Sequence, residues 1–247
     1  MAVIALTSGI GTGSKHLAEL VAKRLGLALA YREIATGGHT KSCDVNQRLT
    51  EPSAPRWERG LAALNRDSNA AELAELDDIY QLAQRGNVLI CGTAPLHFLA
   101  DIEQVIKIRV RTTMALRVRR IMACMNTDLP EPALDKILAG DQRQAAMLER
   151  LFQIPNLEDA SLYDLVVDTG REPVDSIAAQ IVDRVTMPKF IPRAEYFLML
   201  EDRVKRVRSS RNNRMDHEKN TLINNRPAQR ALNQQSYLSV KPNLNLC

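Results

Sequence analysis

The run Gly9-Ile10-Gly11-Thr12-Gly13-Ser14-Lys15 constrains this chain most, because an apolar strand pattern, Val3-Ile4-Ala5-Leu6, leads into it and an amphipathic helical pattern leads out. Glycines let a backbone turn sharply and bring successive N–H groups toward an anion. The amino end of the helix adds a positive field, and lysine supplies a mobile charge. Strand, glycine loop and helix in that order predict a phosphate cradle. Against the strict spacing G-x-x-x-x-G-K-[ST], Gly9 and Lys15 fall in place. Ser14 stands where glycine is expected, and His16 where a magnesium-bound hydroxyl is expected.

A chain of 247 residues suffices for one sizeable α/β domain with an appendage. Its formal charge of +4 is unevenly spread: Lys189 onward carries 12 Lys/Arg against 5 Asp/Glu, leaving about −3 on the rest. We therefore divide the sequence into a core domain, residues 1–188, and a basic tail, residues 189–247. Cys43, Cys91, Cys124 and Cys247 form no C-x-x-C pair, which argues against a zinc site or a disulfide framework and predicts no metal ligands. No run approaches the roughly 18 apolar residues of a membrane span, and the first residues lack a signal-peptide pattern. A soluble, cytoplasmic protein is expected.

Along the chain, Leu17, Leu20, Val21 and Leu25 recur at helical spacing up to Gly26, and Leu27 to Ala30 is a weak second strand. Thr36 to Ser42 has loop chemistry and is expected to be mobile. Helices are predicted around Pro55 to Leu64 and from Asn69 to Gln84, the latter with Leu73, Leu76, Ile79, Tyr80 and Ala83 on one face. Val88 to Cys91 and Val105 to Val110 read as strands with a short helix between them. Met114 to Met125 reads as a basic helix. Glu131 to Phe152 is a longer helical region with Gly140 as a candidate interruption, and Leu165 to Val167 is a last strand before a helix from Val174 to Val185. Alternating strands and helices predict a parallel, three-layer α/β sheet whose ligands gather at the carboxyl ends of the strands. Arg193 to Arg208 is expected to form one basic helix. Ser209 to Cys247, rich in Asn, Gln and Arg without a period, is expected to be largely disordered.

Four segments in order are similar to the cytidylate kinase-like family of P-loop nucleoside monophosphate kinases, covering most of residues 1–188. Gly11-Thr12-Gly13-Ser14-Lys15 resembles its G-S-G-G-R loop. Gln84-Arg85-Gly86-Asn87-Val88-Leu89-Ile90-Cys91-Gly92 resembles its G-N-V-x-I-x-G-R signature. Leu116-Arg117-Val118-Arg119-Arg120-Ile121 resembles its basic helix, and Tyr163-Asp164-Leu165 through Thr169 its closing Y-D-L segment. The resemblance implies a P-loop fold, ATP as phosphoryl donor with Mg²⁺ held mainly through phosphates, and a CMP-like acceptor.

It also implies roles. Lys15 would anchor the donor phosphates with Gly9, Gly11, Thr12, Gly13, Ser14 and His16 around it, and Arg117 and Arg120, three apart on one helix face, would neutralise phosphate charge as a lid closes. Arg143 would approach the nucleotide, and Asp168 and Thr169 would lie near the donor base. Two departures stand out. Thr93 replaces the family arginine that would grip the acceptor phosphate, and Tyr31 takes what looks like an acidic position, leaving Arg32 and Glu33 as the nearest charges.

Other readings stay open on sequence alone. Gly9-x-Gly11 with Glu33 suggests a dinucleotide site, but the third glycine is missing, and the only Tyr-x-x-x-Lys is Tyr237 to Lys241. A regulatory or scaffold protein that binds nucleotide without turnover is the alternative of another class, its basic tail engaging nucleic acid or an acidic partner. His39 and His97 have no spacing partner for a metal and are read as structural or incidental.

Overall fold

The computed structural model describes residues 2–32, 54–67 and 70–238, with side chains to residue 220. The expectations for Glu33, Thr36 to Ser42, His39, Cys43, Lys241 and Cys247 lie outside these residues.

Strand β1 (Val3–Ser8) is buried at nearly every position, and apolar from Val3 to Leu6, because it sits in the middle of the sheet, covered on both faces. Strands β2 (Ala28–Tyr31), β3 (Val88–Cys91), β4 (Val105–Arg111) and β5 (Leu165–Asp168) join it in a five-stranded, wholly parallel sheet of order β2-β3-β1-β4-β5. Each parallel step needs a crossover, and the helices supply it. Alternate side chains of a strand point to opposite faces. Ile4 and Leu6 meet α1 (Ser14–Leu25) and α7 (Val174–Val185), through Leu17, Val21, Ile177 and Ile181. Val3 and Ala5 meet the other layer: α2 (Arg56–Asp67), α3 (Ala70–Arg85), α4 (Thr93–Phe98), the end of α6 (Pro130–Phe152) and α8 (Ala194–Leu238). Each fully buried Leu, Ile or Phe stabilises by about 1.5–3 kcal/mol, so these two layers hold the sheet.

Helix α5 (Met114–Met125) and the first half of α6 form a hairpin with its own apolar cluster, Ile121, Ala133 and Ile137. Gly140 does not interrupt α6. A Cβ there would lie 2.4 Å from Ile10 Cδ1, so its bareness admits the glycine loop against the helix.

The end of the chain differs from expectation. The helix does not stop near Arg208 but continues to Leu238. Tyr196, Leu200, Val204 and Val207 of α8 are buried beside α3, and Phe190 is buried under α7, so packing runs on without a break across residue 188. Past Val207 polar side chains take over: Arg208 and Arg211 reach the buried Asp77 at 3.1 and 3.6 Å, and Arg214 donates to the Asn65 carbonyl. Ion pairs and a carbonyl contact, not an apolar period, bind this part of the helix, which is why hydropathy does not reveal it.

Candidate nucleotide-binding site

Residues 9–13 connect β1 to α1 at the carboxyl edge of the sheet. Gly11 and Gly13 adopt φ of 82° and 79°, a left-handed conformation that L side chains rarely take, and Gly13 caps α1. Three contacts fix the direction of the peptides. Arg117 Nε donates to the Ile10 carbonyl at 2.6 Å. Arg120 Nη1 donates to the Thr12 carbonyl at 2.7 Å, and the Thr169 hydroxyl donates to the same oxygen at 2.5 Å. In a trans peptide the N–H points opposite to the C=O. The amides of Gly11 and Gly13 are therefore turned away from the two arginines, toward the open side of the loop. Neither they nor the amides of Ser14, Lys15 and His16 find an acceptor among the described residues.

The two arginines thus bind the outer edge of the loop. Arg117 also forks onto Asp141, with Nη1 and Nη2 at 2.8 and 2.6 Å from its two oxygens, and Arg120 reaches the Thr169 hydroxyl and carbonyl at 3.0 and 3.1 Å. Sequence reasoning anticipated their shared helix face but not these carbonyl acceptors. Lys15 and His16 are exposed on the first turn of α1, and Lys15 has no polar partner among the described residues. Arg143 is likewise exposed. Its neighbour Gln144, which sequence reasoning missed, reaches the Ser8 carbonyl at 2.8 Å and the Thr93 hydroxyl at 2.9 Å. Asp168 accepts from Gly170 N at 2.9 Å and turns the chain after β5.

Beside the loop, at the ends of β1, β2 and β3, lies a cavity of about 320 Å³ walled by Ser8, Ser14, Tyr31, Arg32 and Gly92. Ser14, the first residue of α1, shares a 2.7 Å hydrogen bond with Ser8. Two such hydroxyls are hard oxygen donors that suit Mg²⁺ arriving on phosphates and water, and no group of three His, Cys, Asp or Glu competes among the described residues. Burial, then Cys91 and Glu19, raise the Tyr31 pKa and keep its hydroxyl protonated. Thr93 does not reach the cavity. It is fully buried, its hydroxyl 2.8 Å from that of Thr7.

The sequence pattern of the cytidylate kinase-like family matches residues 3–171. A cytidylate kinase of Methanothrix thermoacetophila is 28% identical over 175 residues, 68% of this chain and 89% of that protein. The crystal structure of an uncharacterised protein from Eubacterium ventriosum superposes with a TM-score of 0.56 at 16% identity, over 74% of this chain and 97% of that one, which speaks to the fold alone. With the family's pattern spanning well over half of its length, this chain belongs to the cytidylate kinase-like family.

Proposed function

We propose that this protein transfers the γ-phosphoryl group of ATP to a nucleoside monophosphate of the CMP type. The observation that carries this reading is the set of loop amides left without acceptors while their carbonyls are tied outward. Such preorganised donors hold a polyphosphate without reorganising at the moment of reaction. In this reading the amides of Gly11 and of Gly13 to His16 cradle the donor phosphates, and Lys15, whose ammonium has no partner among the described residues, closes on them. Arg117 and Arg120 act as positioning residues through the loop carbonyls and add positive field from behind. Asp168 and Thr169 shape the donor-base side, and Arg143 lies on the helix that completes the rim. Mg²⁺, when bound, would neutralise phosphate charge, with Ser8 and Ser14 as its protein donors. The relative from Methanothrix supports the choice of acceptor.

A coupled assay of ADP release across the common nucleoside monophosphates tests the reading. CMP or UMP should stimulate release, and Lys15→Ala should lower it by about 100-fold or more. Stimulated release that survives Lys15→Ala would overturn the mechanism. A second reading, nucleotide binding without turnover, is favoured by the inward-turned Thr93. It takes over if ATP binds and no monophosphate raises ADP release.

A further inference from the structure

The cavity beside the loop holds one charged side chain among its described walls, Arg32. Its backbone is fixed from two directions. Arg32 N donates to the Cys91 carbonyl at 2.9 Å, extending the β2–β3 ladder by one residue. Its carbonyl lies against Gly92 so closely that a Cβ there would come within 1.8 Å. The side chain is far less committed. Nη1 donates at 3.0 Å to the carbonyl of the preceding residue, and Nε is buried without a partner among the described residues. A guanidinium carries five N–H donors in a rigid fork that matches a phosphate, and a buried donor without an acceptor is unfavourable until an anion arrives. Ser8 and Ser14 on the same wall offer hydroxyls beside it.

We propose that Arg32 is the residue that grips the phosphate of the acceptor, and that it makes the site selective for phosphomonoesters over neutral nucleosides. This rests on the kinase reading above. Thr93 is unsuited to the task, since it is uncharged and spends its hydroxyl on Thr7 and Gln144. Arg32 comes instead from the strand on the other side of β3, held by the backbone contact at Gly92. Because Arg32 meets the acceptor before and during transfer alike, its loss raises KM for the acceptor more than it lowers kcat.

The test uses the full chain. Binding of ATP, of CMP and of cytidine is measured by calorimetry for the wild type, Arg32→Ala, Arg32→Gln and Arg32→Lys, alongside KM and kcat for CMP. The expected result is a rise of about 10- to 100-fold in KM and Kd for CMP in the Ala and Gln variants, with ATP affinity unchanged and partial recovery in the Lys variant. Wild type should bind CMP far better than cytidine, and the Ala variant should lose that preference. An unchanged KM or Kd for CMP in Arg32→Gln overturns the proposal. So does a wild type that binds ATP but neither CMP nor any other monophosphate. Failure of the wild type to bind ATP defeats the kinase reading itself, a different result. The Gln variant keeps donors and packing, so it reports on charge even if the Ala variant unfolds.

Discussion

His97 is wholly enclosed, its ring 5.3 Å from that of Phe152 and both ring nitrogens without a partner among the described residues. Burial, followed by repulsion from Arg56 and then Arg109, pulls its pKa from the ordinary 6.5 down to about 3. The folded protein therefore keeps His97 neutral where the unfolded chain would protonate it. The resulting stability is complete above pH 6.5 and is lost as pH falls toward 3, at up to roughly 1.4 kcal/mol per pH unit for one proton. Urea unfolding at pH 7, 6, 5 and 4 should show this slope, and His97→Phe should be flatter by about that amount. Equal slopes would show that His97 is protonated in the fold. A lone histidine could be read as structural from its spacing, but not its two arginine neighbours. They arrive from two other elements, α2 and β4, brought to it by the packing. The same holds for Gln144 and Thr7 around Thr93. By contrast, the residues of the glycine loop were legible because their chemistry is written in consecutive positions.

Strands and most helices were legible for a similar reason, since β1, β3, α5 and α7 each carry their period within one short window. What the period could not show is how elements touch. In α6 Gly140 looked like a weak point of the helix, whereas it is the socket for Ile10, which also packs against Ile121, Ala133 and Ile137. The α5–α6 hairpin thus holds the loop from one side through apolar contact and through Arg117 from another. Gly140→Val should force Ile10 out, an overpacking cost of about 1–3 kcal/mol, and weaken ATP binding by roughly 10-fold while leaving helical content unchanged. Calorimetry with ATP and far-ultraviolet circular dichroism measure both. Wild-type affinity in that variant would show that the hairpin does not set the loop's shape. Likewise α8 is invisible to hydropathy beyond Val207, where pairing with Asp77 replaces an apolar stripe.

At the scale of the molecule, α8 closes the layer made by α2, α3 and α4. Arg203 is nearly inaccessible, stacks on Trp57 at 4.6 Å, pairs with Asp101 and donates to the Phe98 carbonyl at 3.1 Å, while the Tyr196 hydroxyl donates to the Ala83 carbonyl at 2.6 Å. A chain ending at residue 193 would lack Tyr196, Leu200, Val204 and Val207 and would expose the core surface that they cover. At about 1.5–3 kcal/mol for each large apolar side chain, that loss rivals the 5–15 kcal/mol margin of a typical domain. Such a chain should fail to show a cooperative melt, whereas one ending at residue 220 should melt within a few degrees of the full protein. Among the described residues no helix is long and apolar enough to cross a membrane.

The clasp of Arg203 between Trp57 and Asp101 also governs when the protein can be finished. Synthesis is vectorial, and domains whose contacts span much of the chain close late. Trp57 and Tyr80 emerge from the ribosome well before their cover exists, so a nascent chain must carry an open apolar flank until α8 has cleared the exit.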